Sequence, residues 1–211
     1  MKSMIDALQW RYATKAFDAS KKLTTEQIDL LLEAVRLSPS SFGLQPWKII
    51  VVTNSEVREK LRQAGYGQAQ FTDASHVIIF ASKRELSDLD VDEFIGLTAR
   101  ERGIPTSELG EYAGMMKQFL SGLSGEKRIE WASRQAYLGL GVLLATAAHE
   151  EIDACPMEGF DPSAFDEILG LKEKGLTACV VATVGFRSEK DQTAQLSKVR
   201  FSKKEIIEEI Q

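Results

Sequence analysis

Three short apolar runs rich in β-branched residues constrain most of what this chain can fold into. Trp47–Thr53 (WKIIVVT), His76–Ala81 (HVIIFA) and Leu176–Phe186 (LTACVVATVGF) are bounded by glycine or polar residues and are too short for buried helices. They read as strands buried within the fold. The stretch 82–175 is filled instead by helical patterns, predicted over about 88–102, 107–122 and 126–149, with Gly103-Ile104-Pro105 and 122–125 as the breaks. Few strands among many helices is an α+β architecture.

Local signals place the remaining elements. Thr24 caps a helix with Gln27 reaching back three positions later, Leu23 staples onto Ile28, and Pro39 ends the segment near Leu37. A helix near Ser55–Ala64, a short strand over Ile152–Cys155 and a helix opened by Asp161-Pro162 and closed by Gly170 complete the pattern. The predicted helix 126–149 is the longest. Ile129, Ala132, Ala136, Leu140, Leu143 and Ala147 share one stripe of it, and Gly139 and Gly141 cost it stability, which predicts a close contact with another helix or a second subunit.

Composition excludes several classes. With 26 Lys+Arg against 31 Asp+Glu the formal charge is −5, and the basic residues are interleaved with acids, the opposite of a nucleic-acid-binding face. The balance of 44% hydrophobic and 27% charged residues, with no linker, predicts one globular domain over 1–211. Asp6, Gln9 and Arg11 interrupt any N-terminal apolar segment, and the longest weakly polar stretch, 137–148, falls short of the roughly 20 residues that span a bilayer. No membrane association is expected, and Cys155 and Cys179 read as reduced core thiols of a cytoplasmic protein.

The motif search removes further chemistry. Gly139-Leu140-Gly141 lacks the third glycine of a dinucleotide fingerprint and lies in a helix, and Gly170 and Gly175 are not followed by Lys-Ser/Thr. With only His76 and His149, neither near a cysteine, no metal site is expected. What remains is a set of cations near the chain ends, Arg11 and Lys15 in RYATK and Lys198 and Arg200 in LSKVR. Solvated surface charge is the commoner reading of such cations, and a shared phosphate site the sharper one. The loop 39–47 (PSSFGLQPW) and the junction 156–160 (PMEGF) suit ligand contact, and read equally well as turns.

Taken in order, RYATKAFD at 11–18, SPSSFGLQPW at 38–47, DASHVIIF at 73–80, WASRQAYL at 131–138, PMEGFD at 156–161, GLKEKG at 170–175 and LSKVR at 196–200 resemble the oxygen-insensitive nitroreductase family, in its NAD(P)H nitroreductase and dihydropteridine reductase branch. The resemblance spans nearly the whole chain. It implies a central mixed sheet surrounded by helices, a homodimer with the long helix at its interface, and an FMN site shared between subunits. Arg11, Lys198 and Arg200 would then meet the FMN phosphate, with Tyr12 and Ala13 beside them, and Lys15 would meet the ring, where a cation favours the reduced flavin. Ser40 and Ser41 would reach over from the partner subunit. Pro156, Met157, Glu158 and Gly159 would form the segment at the flavin N5, with Lys15 and Glu158 at the reacting centre.

Relatives often carry serine at the position of Ala13, asparagine at that of Gly67 and, in some, lysine at that of Gln70. Gln68 and Gln70 could supply the missing amide contacts. Phe42, Met115, Met116 and Phe119 fall where relatives place the substrate pocket, although the helical spacing of the last three also suits plain core. The implied activity is transfer of electrons from NADH or NADPH through FMN to a small electron-poor acceptor such as a nitroaromatic or quinone. Reduction of enones, pterins or free flavin, and flavin binding without turnover, are the alternatives.

Overall fold

The computed structural model describes residues 3–211. The four strands β1 (Trp47–Val52), β2 (His76–Lys83), β3 (Asp153–Met157) and β4 (Leu176–Gly185) form one sheet in the order β1-β2-β4-β3. Every neighbouring pair is antiparallel, with Ile49 opposite Phe80 and Cys155 opposite Thr183. The expectation of a mixed sheet is corrected to that extent. Among the described residues the one parallel contact is an isolated bridge between Ala13 and Ala154.

Both faces of the sheet are covered, which is why its strands read as unbroken apolar runs. Along β2, Val77, Ile79 and Ala81 enter one core, while Ile78 and Phe80 enter the other, as the alternation of a strand requires. The first core is closed by α3 (Ser55–Ala64), α4 (Gln70–Asp73) and α8 (Pro162–Leu169), through Leu61, Phe71 and Phe165. The second is closed by α2 (Thr25–Arg36) and α7 (Gly125–His149), through Leu31, Val35, Leu140 and Leu143. A third cluster joins α5 (Asp88–Arg102), α6 (Gly110–Ser121) and the start of α7 around Met116, Leu120 and Trp131.

The caps match the expected chemistry. Thr24 and Gln27 form a reciprocal capping box on α2, Asp161 accepts from Ser163 and Ala164 at the start of α8, and Gly170 ends α8 in the left-handed conformation. Three short helices were not foreseen: α1 (Met4–Trp10), capped by Ser3 and Asp6, α4, and α9 (Lys203–Ile206) near the C-terminus.

Helix α7 has 25 residues and so extends about 37 Å. Its two glycines do different things. Gly139 lies on the buried face, where an added Cβ would stand 3.3 Å from the Phe80 ring and 3.4 Å from Ser38 Oγ. Gly141 has nothing within 4 Å and belongs with Arg134, Tyr137 and Leu138 to the exposed stripe of the helix. Among the described residues no helix is long and apolar enough to cross a membrane.

Candidate functional site

The segment after α1 leaves the helix at Arg11 in extended conformation and runs beside β3, where Thr14 N donates to Ala154 O at 3.3 Å. One carboxylate fixes its path. Asp191 is 4% exposed, and its Oδ2 accepts from Lys15 N at 2.8 Å, Ala16 N at 3.2 Å and Tyr12 Oη at 3.0 Å. Its Oδ1 takes Thr193 N at 3.0 Å. Burial pushes the Asp191 pKa upward, but the backbone donors of Ala16 and Lys15 and the Tyr12 hydroxyl outweigh it and hold the group below the usual aspartate range. Burial, with the Asp191 hydrogen bond second, pushes Tyr12 up to about 12, so its phenol remains a donor.

A second clasp lies alongside. Arg187 Nε donates to Asp153 Oδ1 at 2.7 Å, and its guanidinium lies 4.3 Å from the Trp10 ring centroid and 4.7 Å from that of Tyr12. Together the two clasps bring the N-terminal segment, β3 and the segment after β4 into one place.

They frame a cavity of about 550 Å³ whose walls include Arg11, Tyr12, Ala13, Pro156, Lys198 and Arg200, six of the residues expected at the cofactor. The cations at its edge lack an acidic partner. Among the described residues no ion pair involves Arg11, Lys198 or Arg200, and Arg11 Nε is buried without a hydrogen-bond partner. Lys198 Nζ donates to the Arg11 carbonyl, which draws the tail over the N-terminal segment. Burial and then Arg200 lower the Arg11 pKa, and burial followed by Arg11 and Arg200 lowers that of Lys198. Three cations gathered without an acidic partner around one cavity are chemistry suited to an anion.

The remaining predicted residues fall in distinct places. Lys15 Nζ lies 4.0 Å from Cys155 Sγ. Burial pushes the Cys155 thiol up, with Lys15, Gln70 and Arg11 acting the other way. Gln70 is 7% exposed and packs its amide against that thiol. Gln68, expected to meet a flavin with its amide, spends its Nε2 on Gly65 O at 2.9 Å and Gly159 O at 2.7 Å. That leaves its side-chain carbonyl for a ligand. Met157 is buried, at 4% exposure, in the first core. Glu158 is exposed, and its Oε1 accepts from Tyr137 Oη at 2.5 Å.

Ser40, Ser41 and Phe42 are not at the cation cavity of their own chain. They lie against α7, where Ser41 N donates to Gln135 Oε1 at 2.8 Å. Phe42 occupies the left-handed region with φ 60°, which costs a residue with a side chain. Its ring meets Phe119 edge-on at 5.3 Å and Tyr112 at 6.3 Å, and the Tyr112 hydroxyl donates to its carbonyl at 3.1 Å. Beside them Met115 is 51% exposed, whereas Met116 is 0% exposed in the third core cluster. Met116 is thus corrected from pocket wall to packing, because successive positions on α6 face directions about 100° apart, and Met116 falls on the core side.

Four contributors escaped the sequence reading. Asp191 and Arg187 carried no signal, each being one charge among many. Gln135 and Tyr137 lie inside the WASRQAYL segment quoted above, so the segment held the information although neither residue was singled out.

Comparison with known proteins agrees with this geometry. The family model described as "Nitroreductase family" matches residues 8–186. The chain is 35% identical over 212 residues to an oxygen-insensitive NAD(P)H nitroreductase of Salmonella typhimurium, covering 97% of each chain. It is 33% identical over 207 residues to the enzyme of the same name from Enterobacter cloacae, covering 94% of this chain and 95% of the relative. A structure from Exiguobacterium sibiricum solved in complex with FMN superposes with a TM-score of 0.84 at 19% identity, over 100% of this chain and 98% of that one, a likeness of fold. On the strength of its sequence and its fold, the chain belongs to the nitroreductase family.

Proposed function

We propose that the protein is an FMN-dependent oxidoreductase that takes electrons from NADH or NADPH and delivers them to a small electron-poor acceptor, such as a nitroaromatic or quinone, in two successive half-reactions at one site. The observation that carries the reading is the uncompensated cluster of Arg11, Lys198 and Arg200 around the 550 Å³ cavity, with Arg11 Nε buried and unpartnered. A phosphate dianion fits that chemistry, since each charge-assisted hydrogen bond it accepts relieves the repulsion among the cations. When bound, FMN supplies the two-electron exchange that no side chain here provides.

The chain's own residues then have separate tasks. Arg11, Lys198 and Arg200 hold the phosphate end, and Asp191 holds the backbone that presents Tyr12 and Lys15. Lys15 brings positive charge to the ring end of the site. The turn at Glu158–Gly159, at the end of β3, offers backbone N–H groups there. Ser40 and Ser41 complete the site from a second copy of the chain, an assignment favoured by their distance from the cavity of their own chain and by exposed apolar side chains on α1 (Met4, Ile5, Leu8) and α7 (Leu138).

The test is the visible spectrum of the purified protein, reconstituted with FMN where needed and then mixed anaerobically with each nicotinamide. The proposal expects a yellow dimer that bleaches with at least one donor and recovers its colour on addition of a nitroaromatic. A protein that takes up no FMN, or whose bound flavin neither nicotinamide reduces, overturns it.

A further inference from the structure

The turn between β3 and α8 is held in an unusual way. Met157 before it and Phe160 after it are both anchored in the core, at 4% exposure each, with Phe160 stacked 4.5 Å from Phe165. The two residues between them are exposed, and each is gripped by a side chain from elsewhere in the chain. Tyr137 Oη, from α7, donates to Glu158 Oε1 at 2.5 Å, and Gln68 Nε2, from the segment between α3 and α4, donates to Gly159 O at 2.7 Å. Burial and the Glu158 hydrogen bond both raise the Tyr137 pKa, so the phenol stays a donor at neutral pH.

An exposed glutamate is ordinarily solvated, and a bond to it would contribute little. Here the partner phenol is rooted on the longest helix of the fold, so the bond ties a loop to a rigid element. We propose that Tyr137 is a positioning residue of the active site, acting through the Glu158 carboxylate to fix the Glu158–Gly159 turn against the reacting edge of the cofactor. The inference rests on the FMN reading above and deepens it. Glu158 then serves by its oxygen acceptor and transfers no proton.

The test uses the full-length protein, as purified and after FMN reconstitution, in four forms: wild type, Tyr137→Phe, Glu158→Ala and Glu158→Gln. The glutamine variant keeps an acceptor oxygen for the tyrosine. Amide exchange read by mass spectrometry should accelerate about tenfold or more over 158–160 in Tyr137→Phe and Glu158→Ala, as expected for loss of a hydrogen bond to a charged group. Glu158→Gln should stay within about threefold of wild type, and the double variant Tyr137→Phe/Glu158→Ala should add nothing to either single change. In the loaded protein, the rate of flavin reduction should fall about tenfold in the same two variants, with the KM for the nicotinamide within about twofold of wild type, since a small misplacement costs the reacting state more than the bound state.

Unchanged exchange over 158–160 in Tyr137→Phe overturns the proposal, whatever the flavin does. So does faster exchange with an unaltered rate of flavin reduction, which would leave the bond purely structural. Failure of the wild type to bind FMN overturns the functional reading and the positioning role with it, while the exchange data still decide whether the bond holds the turn.

Discussion

Arg200 lowers the proton affinity of Arg11, Arg11 and Arg200 lower that of Lys198, and among the described residues none of the three is paired with an acid, so removing one should weaken anion binding more than it weakens the fold. Lys198→Ala and Arg200→Ala are each expected to lose about 1.5–3 kcal/mol of FMN affinity. Stability without flavin should stay within about 0.5 kcal/mol of wild type. Flavin titration and urea unfolding check the two halves. Lys15 should act on the reduced state instead. The bound flavin of Lys15→Ala is expected to shift its midpoint potential negative by on the order of tens of millivolts, about 30 mV for each 1.4 kcal/mol lost, with much of the FMN still bound. Asp191 stabilises the frame itself. Its folded pKa is depressed, so its contribution is complete above the ordinary aspartate range near about 4 and disappears as pH falls through the lower folded value. Asp191→Asn should cost about 2–3 kcal/mol at neutral pH. The difference from wild type, measured by urea unfolding across an acid series, should close only below that range. The cations were legible in the sequence through their motifs, whereas Asp191 was not, because a carboxylate that accepts backbone N–H groups leaves no pattern in its neighbours.

Elements were legible where periodicity and capping agreed. Helix α3 and helix α5 lie where the spacing put them, over Ser55–Ala64 and Asp88–Arg102. The strands were found for the reason that left their direction unread: cover on both faces makes an apolar run, and that cover is the same for parallel and antiparallel neighbours. Helix α1, at seven residues, is too short for its periodicity to stand out, and its Ser3–Asp6 box was the one available sign. In α7 the spacing flagged both glycines and could not separate a buried Gly139 from an exposed Gly141. Gly141→Leu decides what the exposed stripe does. If this stripe meets a second subunit, the substitution should weaken dimerisation by about tenfold or more, through overpacking on the order of 1–3 kcal/mol, while leaving each chain folded. Sedimentation across a dilution series, with circular dichroism as control, measures it.

At the scale of the whole molecule, large apolar side chains are left exposed on several elements. The segment after β4 bears Leu196, Val199, Phe201, Ile206, Ile207 and Ile210, exposed between 56% and 93%. An apolar tail of this kind ordinarily meets another chain. If the protein forms the proposed dimer, removal of residues 201–211, which spares Arg200, is therefore expected to yield a monomer and to lower the flavin content. Light scattering and the ratio of flavin to protein absorbance give the result. The single cavity that unites six of the predicted residues depends on a similar reach. Lys198 meets the Arg11 carbonyl across 187 positions of sequence, and Asp191 meets Lys15 across 176. On a ribosome, the earlier partner of each pair is made well over a hundred residues before the later one. The proposed phosphate end of the site therefore cannot be assembled while the intervening strands and helices are still emerging. Cofactor loading is deferred until the segment around Lys198 has cleared the exit tunnel, and a nascent chain stalled before that point should bind no flavin however well its sheet has formed.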